Sequence, residues 1–148
     1  MTQLSNQFEQ TNSKGAADLA RNPNIYNVRI DPASVATLNA GAPVKIIDLA
    51  GDALTVDLAT VATDDIIGFV NLISKTNEFT AGDYCEILSD GSGQFMEASA
   101  AIAKGALVEI VPTGVKVATK AAGTTIGRAL TKATANGDLI LVSIHAKV

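Results

Sequence analysis

The sequence contains one cysteine, one histidine and no tryptophan in 148 residues. A lone cysteine, Cys85, cannot close an internal disulfide, and a single imidazole, His145, does not make a structural zinc site with it. A hydrolase triad would have one base to draw on, three residues from the end of the sequence. Aromatic residues reach only 4%, so the flat side chains on which bases and sugar rings stack are scarce. Basic residues are outnumbered by acidic ones, 11 to 15, for a net charge of −4. That balance argues against a dedicated nucleic-acid binder, whose affinity comes mainly from neutralising phosphates. No apolar run approaches the ~20 residues of a membrane-spanning helix. The opening MTQLSNQFEQTNS has neither the basic start nor the apolar run of a secretory signal. The expectation is a protein made in the cytoplasm that needs no cofactor, metal or membrane, and is not an enzyme.

What the sequence does contain is aliphatic. Apolar residues make up 47% and charged residues 18%, with 24 alanines and 14 threonines. Such a chain is long enough to bury one aliphatic core. Residues 1–24 stand apart: they are rich in Gln, Asn, Ser and Thr and offer a core little beyond Leu4, Phe8 and Leu19. They read either as a frayed terminus or as an arm that orders on a partner. From Ile25 to the end the pattern is of short strands. Tyr26, Val28 and Ile30 alternate with Asn27 and Arg29, and Leu54, Val56 and Leu58 with Thr55 and Asp57, the period of a half-buried strand. Residues 66–73 read as a more fully buried strand, in which Gly68 marks a bulge or a close backbone approach. Gly91-Ser92-Gly93 and Pro112-Thr113-Gly114 read as hairpin turns, the first joining 84–88 to 94–97, the second 106–111 to 115–118. A last strand covers 139–146. Only residues 1–24 and 98–104 leave room for a helix. The expectation is an all-β domain, 25–148, behind an N-terminal segment, 1–24.

The most informative feature is an internal echo. Gly41-Ala42-Pro43-Val44-Lys45-Ile46 is matched by Gly105-Ala106-Leu107-Val108-Glu109-Ile110, Ile67-Gly68 by Ile126-Gly127, and Gly82-Asp83-Tyr84-Cys85-Glu86-Ile87 by Gly137-Asp138-Leu139-Ile140-Leu141-Val142. The order is the same in both halves, with shorter loops in the second. Two related halves predict a pseudo-symmetric barrel or sandwich, because either half alone would leave a sheet face uncovered.

The residues that could carry chemistry do not assemble into a site. Gly123-Thr124-Thr125-Ile126-Gly127 lacks the Gly-Lys-Ser/Thr ending that a phosphate loop needs, and Gly127 is followed by Arg128. Asp64 and Asp65 are adjacent in a turn, where aspartate is favoured by the backbone and neighbouring side chains point apart. Cys85 lies within an alternating strand as a small buried hydrophobe. His145 has neither a nucleophile nor an orienting partner in view.

The stretch from Gly41 to Ala146 resembles the capsid decoration, or cement, proteins of tailed bacteriophages. The resemblance is carried by Ala62-Thr63-Asp64-Asp65-Ile66-Ile67-Gly68-Phe69-Val70, Thr80-Ala81-Gly82-Asp83, Met96-Glu97-Ala98-Ser99, Ala103-Lys104-Gly105-Ala106-Leu107-Val108-Glu109-Ile110 and Ala135-Asn136-Gly137-Asp138-Leu139-Ile140. It implies a small β-tulip domain that binds the outer surface of the assembled phage head and bridges subunits of the major capsid protein to stabilise the shell. It also implies assembly with copies of itself, mostly as homotrimers, a dimer being the alternative. The N-terminal segment is then a grip on neighbours, with Phe8, Ile25 and Tyr26 as the apolar anchors of the arm and its root. A rival reading is an adhesive or carbohydrate-binding β module on a virion or cell surface, against which the scarcity of aromatics counts.

Overall fold

A computed structural model describes residues 14–18, 23–47, 54–72, 78–111 and 115–145. In chain order the strands are β1 (Ile25–Ile30), β2 (Leu38–Asn39), β3 (Pro43–Ile46), β4 (Thr55–Leu58), β5 (Ile66–Val70), β6 (Glu78–Phe79), β7 (Tyr84–Leu88), β8 (Gly93–Glu97), β9 (Leu107–Val111), β10 (Lys116–Thr119), β11 (Gly127–Ala129) and β12 (Leu139–Ile144). Among the described residues there is no helix. The all-β expectation is borne out. Residues 98–104, where sequence left room for a helix, instead pair through Ala98 to Val117 and Ile102 to Ala133. Ala98 N and Ile102 N donate to Asp138 O and Ala133 O, so the backbone groups a helix would need are spent on partners distant in sequence.

Strands β1-β4-β3-β5-β7 close into a five-stranded barrel, and β10-β9-β11-β12-β8 form a second five-stranded sheet. The internal echo survives at the level of hydrogen bonds. In the first half Val44 stands opposite Gly68 and Val70 opposite Ile87; in the second, Val108 stands opposite Gly127 and Ala129 opposite Val142. Gly41 N donates to Val70 O, as Gly105 N does to Ala129 O. Ile30 N donates to Asp83 O, as Ala98 N does to Asp138 O. Even the parallel pairing that closes the barrel, Ile30 with Val56, has its counterpart in the single bridge of Ala98 to Val117. The two halves are one unit used twice.

Gly68 marks a close backbone approach, as its place in an apolar strand implies. A Cβ there would lie 2.6 Å from the Leu88 carbonyl oxygen, and one on Gly127 would collide with the matching carbonyl of Ser143. The partner strand sits where a side chain would be. The turn at 112–114 lies outside the described residues, but the antiparallel pairing it joins, Val111 opposite Lys116, is as expected.

The turn at 91–93 differs from expectation. It does not close a hairpin, because β7 pairs with β1 and β5 while β8 pairs with β12. Gly91 N donates to Ile144 O, and Ser92 Oγ accepts from Asn24 N at 2.7 Å. Both edges that a hairpin would have used are taken by strands distant in sequence. The turn is the passage from one half to the other.

Two apolar clusters fill the molecule. One occupies the first barrel, with Val28, Ile30, Val44, Val56, Cys85 and Ile87. The other fills the second half and reaches across the junction to Phe69, Leu88 and Ile66 of the first. Phe69 and Leu88 stand opposite each other on β5 and β7. Their counterparts in the second half are Arg128 and Ser143. The outer face that docks in the first half is therefore polar in the second, so the halves pack head to tail rather than about a twofold axis.

Candidate functional site

Phe8 lies outside the described residues. Ile25 and Tyr26 open β1, where Tyr26 is paired with Ile87 and 45% exposed. Their surroundings are best read through their counterparts in the second half. Register places Gln94 where the first barrel has Tyr26, Ile110 where it has Ile46, and Val115 where it has Leu54.

In the second half that end of the sheet is covered. Residues 14–18 run antiparallel to β8 with Ala17 opposite Gln94. Gly15 N donates to Phe95 O at 2.7 Å, Phe95 N to Ala16 O at 3.0 Å, and Asp18 N to Gly93 O at 2.8 Å. The buried Gln94 amide donates to Gly15 O at 2.8 Å and Val70 O at 3.0 Å. One side chain thus ties the N-terminal segment and the first barrel to the second half. Gly41, Pro43 and Phe69 close over Met96, Ile110 and Val117 around a small cleft. Ile110 is consequently only 3% exposed.

In the first half, no described segment covers the same end of the barrel. Ile46 is 54% exposed, Leu54 39%, and Ile25 stands exposed beside Tyr26. Two of these, Ile25 and Tyr26, were legible as candidates in the sequence. Ile46 and Leu54 carry no local mark of a site in the sequence; the one signal is the echo between Ile46 and Ile110. Among the described residues, these large apolar side chains have covering partners in one repeat and none in the other, which makes this end of the unit a candidate contact surface.

The chemistry-bearing residues are engaged structurally. Burial pushes the Cys85 thiol up to about 11, with Asp83 and Glu86 adding to the effect, so it is a poor nucleophile at neutral pH. Burial would raise the Asp64 carboxyl, but donation from the Thr60 and Val61 amides and from Lys45 holds it below the ordinary range. Asp64 and Asp65 do not form a catalytic pair, because Asp64 is spent on its own turn and on Lys45 at 3.3 Å. His145 is exposed, with Asp90 at 3.7 Å. The 123–127 loop is a junction element: Thr124 N donates to Ala62 O, and Gly123 N to Glu109 Oε2 at 2.6 Å. Among the described residues no three His, Cys, Asp or Glu side chains gather as a metal site.

Comparison with known proteins places this arrangement in a family. No curated protein matches the chain. Among solved structures, the head fiber gp8.5 N base of bacteriophage phi29 is similar in fold, with a TM-score of 0.55 at 15% identity, covering 85% of this chain and 98% of that one. The family model described as phage cement protein matches residues 27–144, most of the chain, including both halves of the repeat. The chain belongs to the phage cement protein family.

Proposed function

We propose that this protein binds the outer surface of an assembled phage head and bridges major-capsid subunits, acting as a homotrimer and without catalysis. The observation that carries the reading is the family match across both halves. The engaged carboxylates and buried thiol, and the apolar end of the first barrel, support it. A protein that touches several subunits leaves only when all contacts release together, which raises its effective affinity. Binding only the assembled lattice shifts the balance toward the intact shell by mass action.

The test is to add purified protein to particles that lack it. The expected outcome is saturable binding, three copies around a local axis in averaged density, and a higher temperature of particle disruption. Binding without any gain in heat resistance would sink the stabilising role, and two copies around the axis would sink the trimer. Removing residues 1–13 while leaving 14–18 in place tests the arm. Unchanged occupancy and heat resistance would falsify its part in the grip.

A further inference from the structure

Among the described residues the backbone edge of β1 before Arg29 is unpaired, whereas its counterpart in the second half is occupied. On β1, Ile30 N points to β7, donating to Asp83 O, whereas Arg29 N and Asp31 N point to β4, donating to Leu54 O and Val56 O. Alternation puts the N–H and C=O of Ile25 and Asn27 on the β4 side as well. The β4 pairing begins only at Arg29 opposite Thr55. Among the described residues, nothing bonds the outward groups of Ile25 and Asn27. Their counterparts, Gly93 and Phe95, are bonded by residues 14–18. The side chains differ in an instructive way. Where the second half has Glu97, paired with Lys14 of the added strand at 3.5 Å, the first half has Arg29. Among the described residues Arg29 meets no carboxylate: it lies over the Tyr84 ring at 5.9 Å, with a buried Nε that has no hydrogen-bond partner.

We propose that the β1 edge at residues 25–27 is a docking strand for an extended segment of a second polypeptide. The segment lies antiparallel to β1, has a small residue opposite Tyr26, and carries a carboxylate three residues N-terminal to it, facing Arg29. The reversed charge follows from Arg29 standing where Glu97 meets Lys14. Strand addition supplies affinity through main-chain bonds, and the side chains set register. A second copy stacking through the contact between the halves is disfavoured, because Arg128 and Ser143 replace the Phe69 and Leu88 that make it. On the proposed function the second polypeptide is a shell subunit, and the inference rests on that reading.

Amide hydrogen exchange and two edge variants test it on the full chain. Ile25 and Asn27 amides should exchange fast in the isolated protein and about tenfold or more slower on particles. Asn27→Pro removes an outward N–H without touching the β7 ladder, so the fold is expected to stay, checked by its melting temperature. Arg29→Glu keeps the test open if that variant fails to fold. Each should weaken particle occupancy by about tenfold, and Arg29→Lys should restore most of it. Wild-type binding with Asn27→Pro and Arg29→Glu equally bound overturns the docking strand and leaves the cement reading standing. Failure of the wild type to bind particles overturns both. Slow exchange already present in the isolated protein assigns the edge to the chain's own residues or to a second copy, and overturns the proposal.

Discussion

At the scale of single residues, the barrel is set by what cannot fit. Gly68 lets β7 approach β5 until the Leu88 carbonyl occupies the place of a side chain. Gly68→Ala is therefore expected to destabilise the fold by about 1–3 kcal/mol through forced strand separation, read as a lower midpoint in denaturant. Charged residues act on their own turns and neighbours. The Glu97 carboxyl is held low by the hydrogen bond from Lys116 and by Lys14, and Asp64 by the Thr60 and Val61 amides and Lys45 against the pull of burial. Asp138, bonded by Thr134 and Ala135, is lowered too. A carboxyl held lower in the folded than in the unfolded chain contributes stability that is full above its unfolded value and is lost as pH falls through the folded one. The melting temperature should be flat above about pH 5 and fall below about pH 4. Glu97→Gln should lower it at neutral pH and make the acid fall shallower. An equally steep acid limb in that variant would remove Glu97 from the account.

At the scale of elements, residues 14–18 behave as a strand of the second half rather than as a loose lead-in. Ala16 and Ala17 are buried, and Gly15 has φ +80 with its Cβ position 2.6 Å from Gly41 N. Only a residue without a side chain fits between the halves at that point. Removing residues 1–13 should leave the melting temperature nearly unchanged. Removing 1–18 should lower it sharply, because the outward groups of Gly93 and Phe95 lose their partners and Gln94 loses its bond to Gly15 O. Equal melting temperatures for the two truncations would show that the segment contributes nothing to the fold.

At the scale of the whole molecule, the core of the second half takes in Phe69, Leu88 and Ile66 of the first, so the second half has no complete core alone. Heat should unfold the chain in one transition seen alike by secondary-structure and tertiary probes. Phe69→Ala should cost about 3–5 kcal/mol, the range for emptying a buried aromatic site. If the variant instead split the melt into two well-separated transitions of wild-type total enthalpy, the halves would be independent and the shared core wrong. Among the described residues, the head-to-tail packing also covers one end of the repeated unit and leaves its counterpart uncovered. That asymmetry gives a duplicated fold two unlike ends, among the described residues one covered and one exposed.

The strand periods, the turn glycines and the repeat were all legible in the sequence, because alternation and tight turns are local consequences of side-chain type. Gly41 with Gly105, Gly68 with Gly127 and Asp83 with Asp138 announced a unit used twice, and the hydrogen bonds of the two halves agree with it. What local pattern could not decide was partnership. The turn at Gly91-Ser92-Gly93 has hairpin composition, yet its flanking strands pair elsewhere, since β1 and β12 compete for the same edges across long stretches of chain. Ile46 and Ile110 occupy matching positions in the same pattern, and one is exposed while the other is buried. The difference arises from which half lies on top of which, and so from Phe69 standing where the repeat has Arg128. Sequence by itself determined the repeating unit; only the packing of one unit against the other, and of residues 14–18 into the seam, decided which of two matching ends is buried, because burial depends on contacts between residues far apart in the chain.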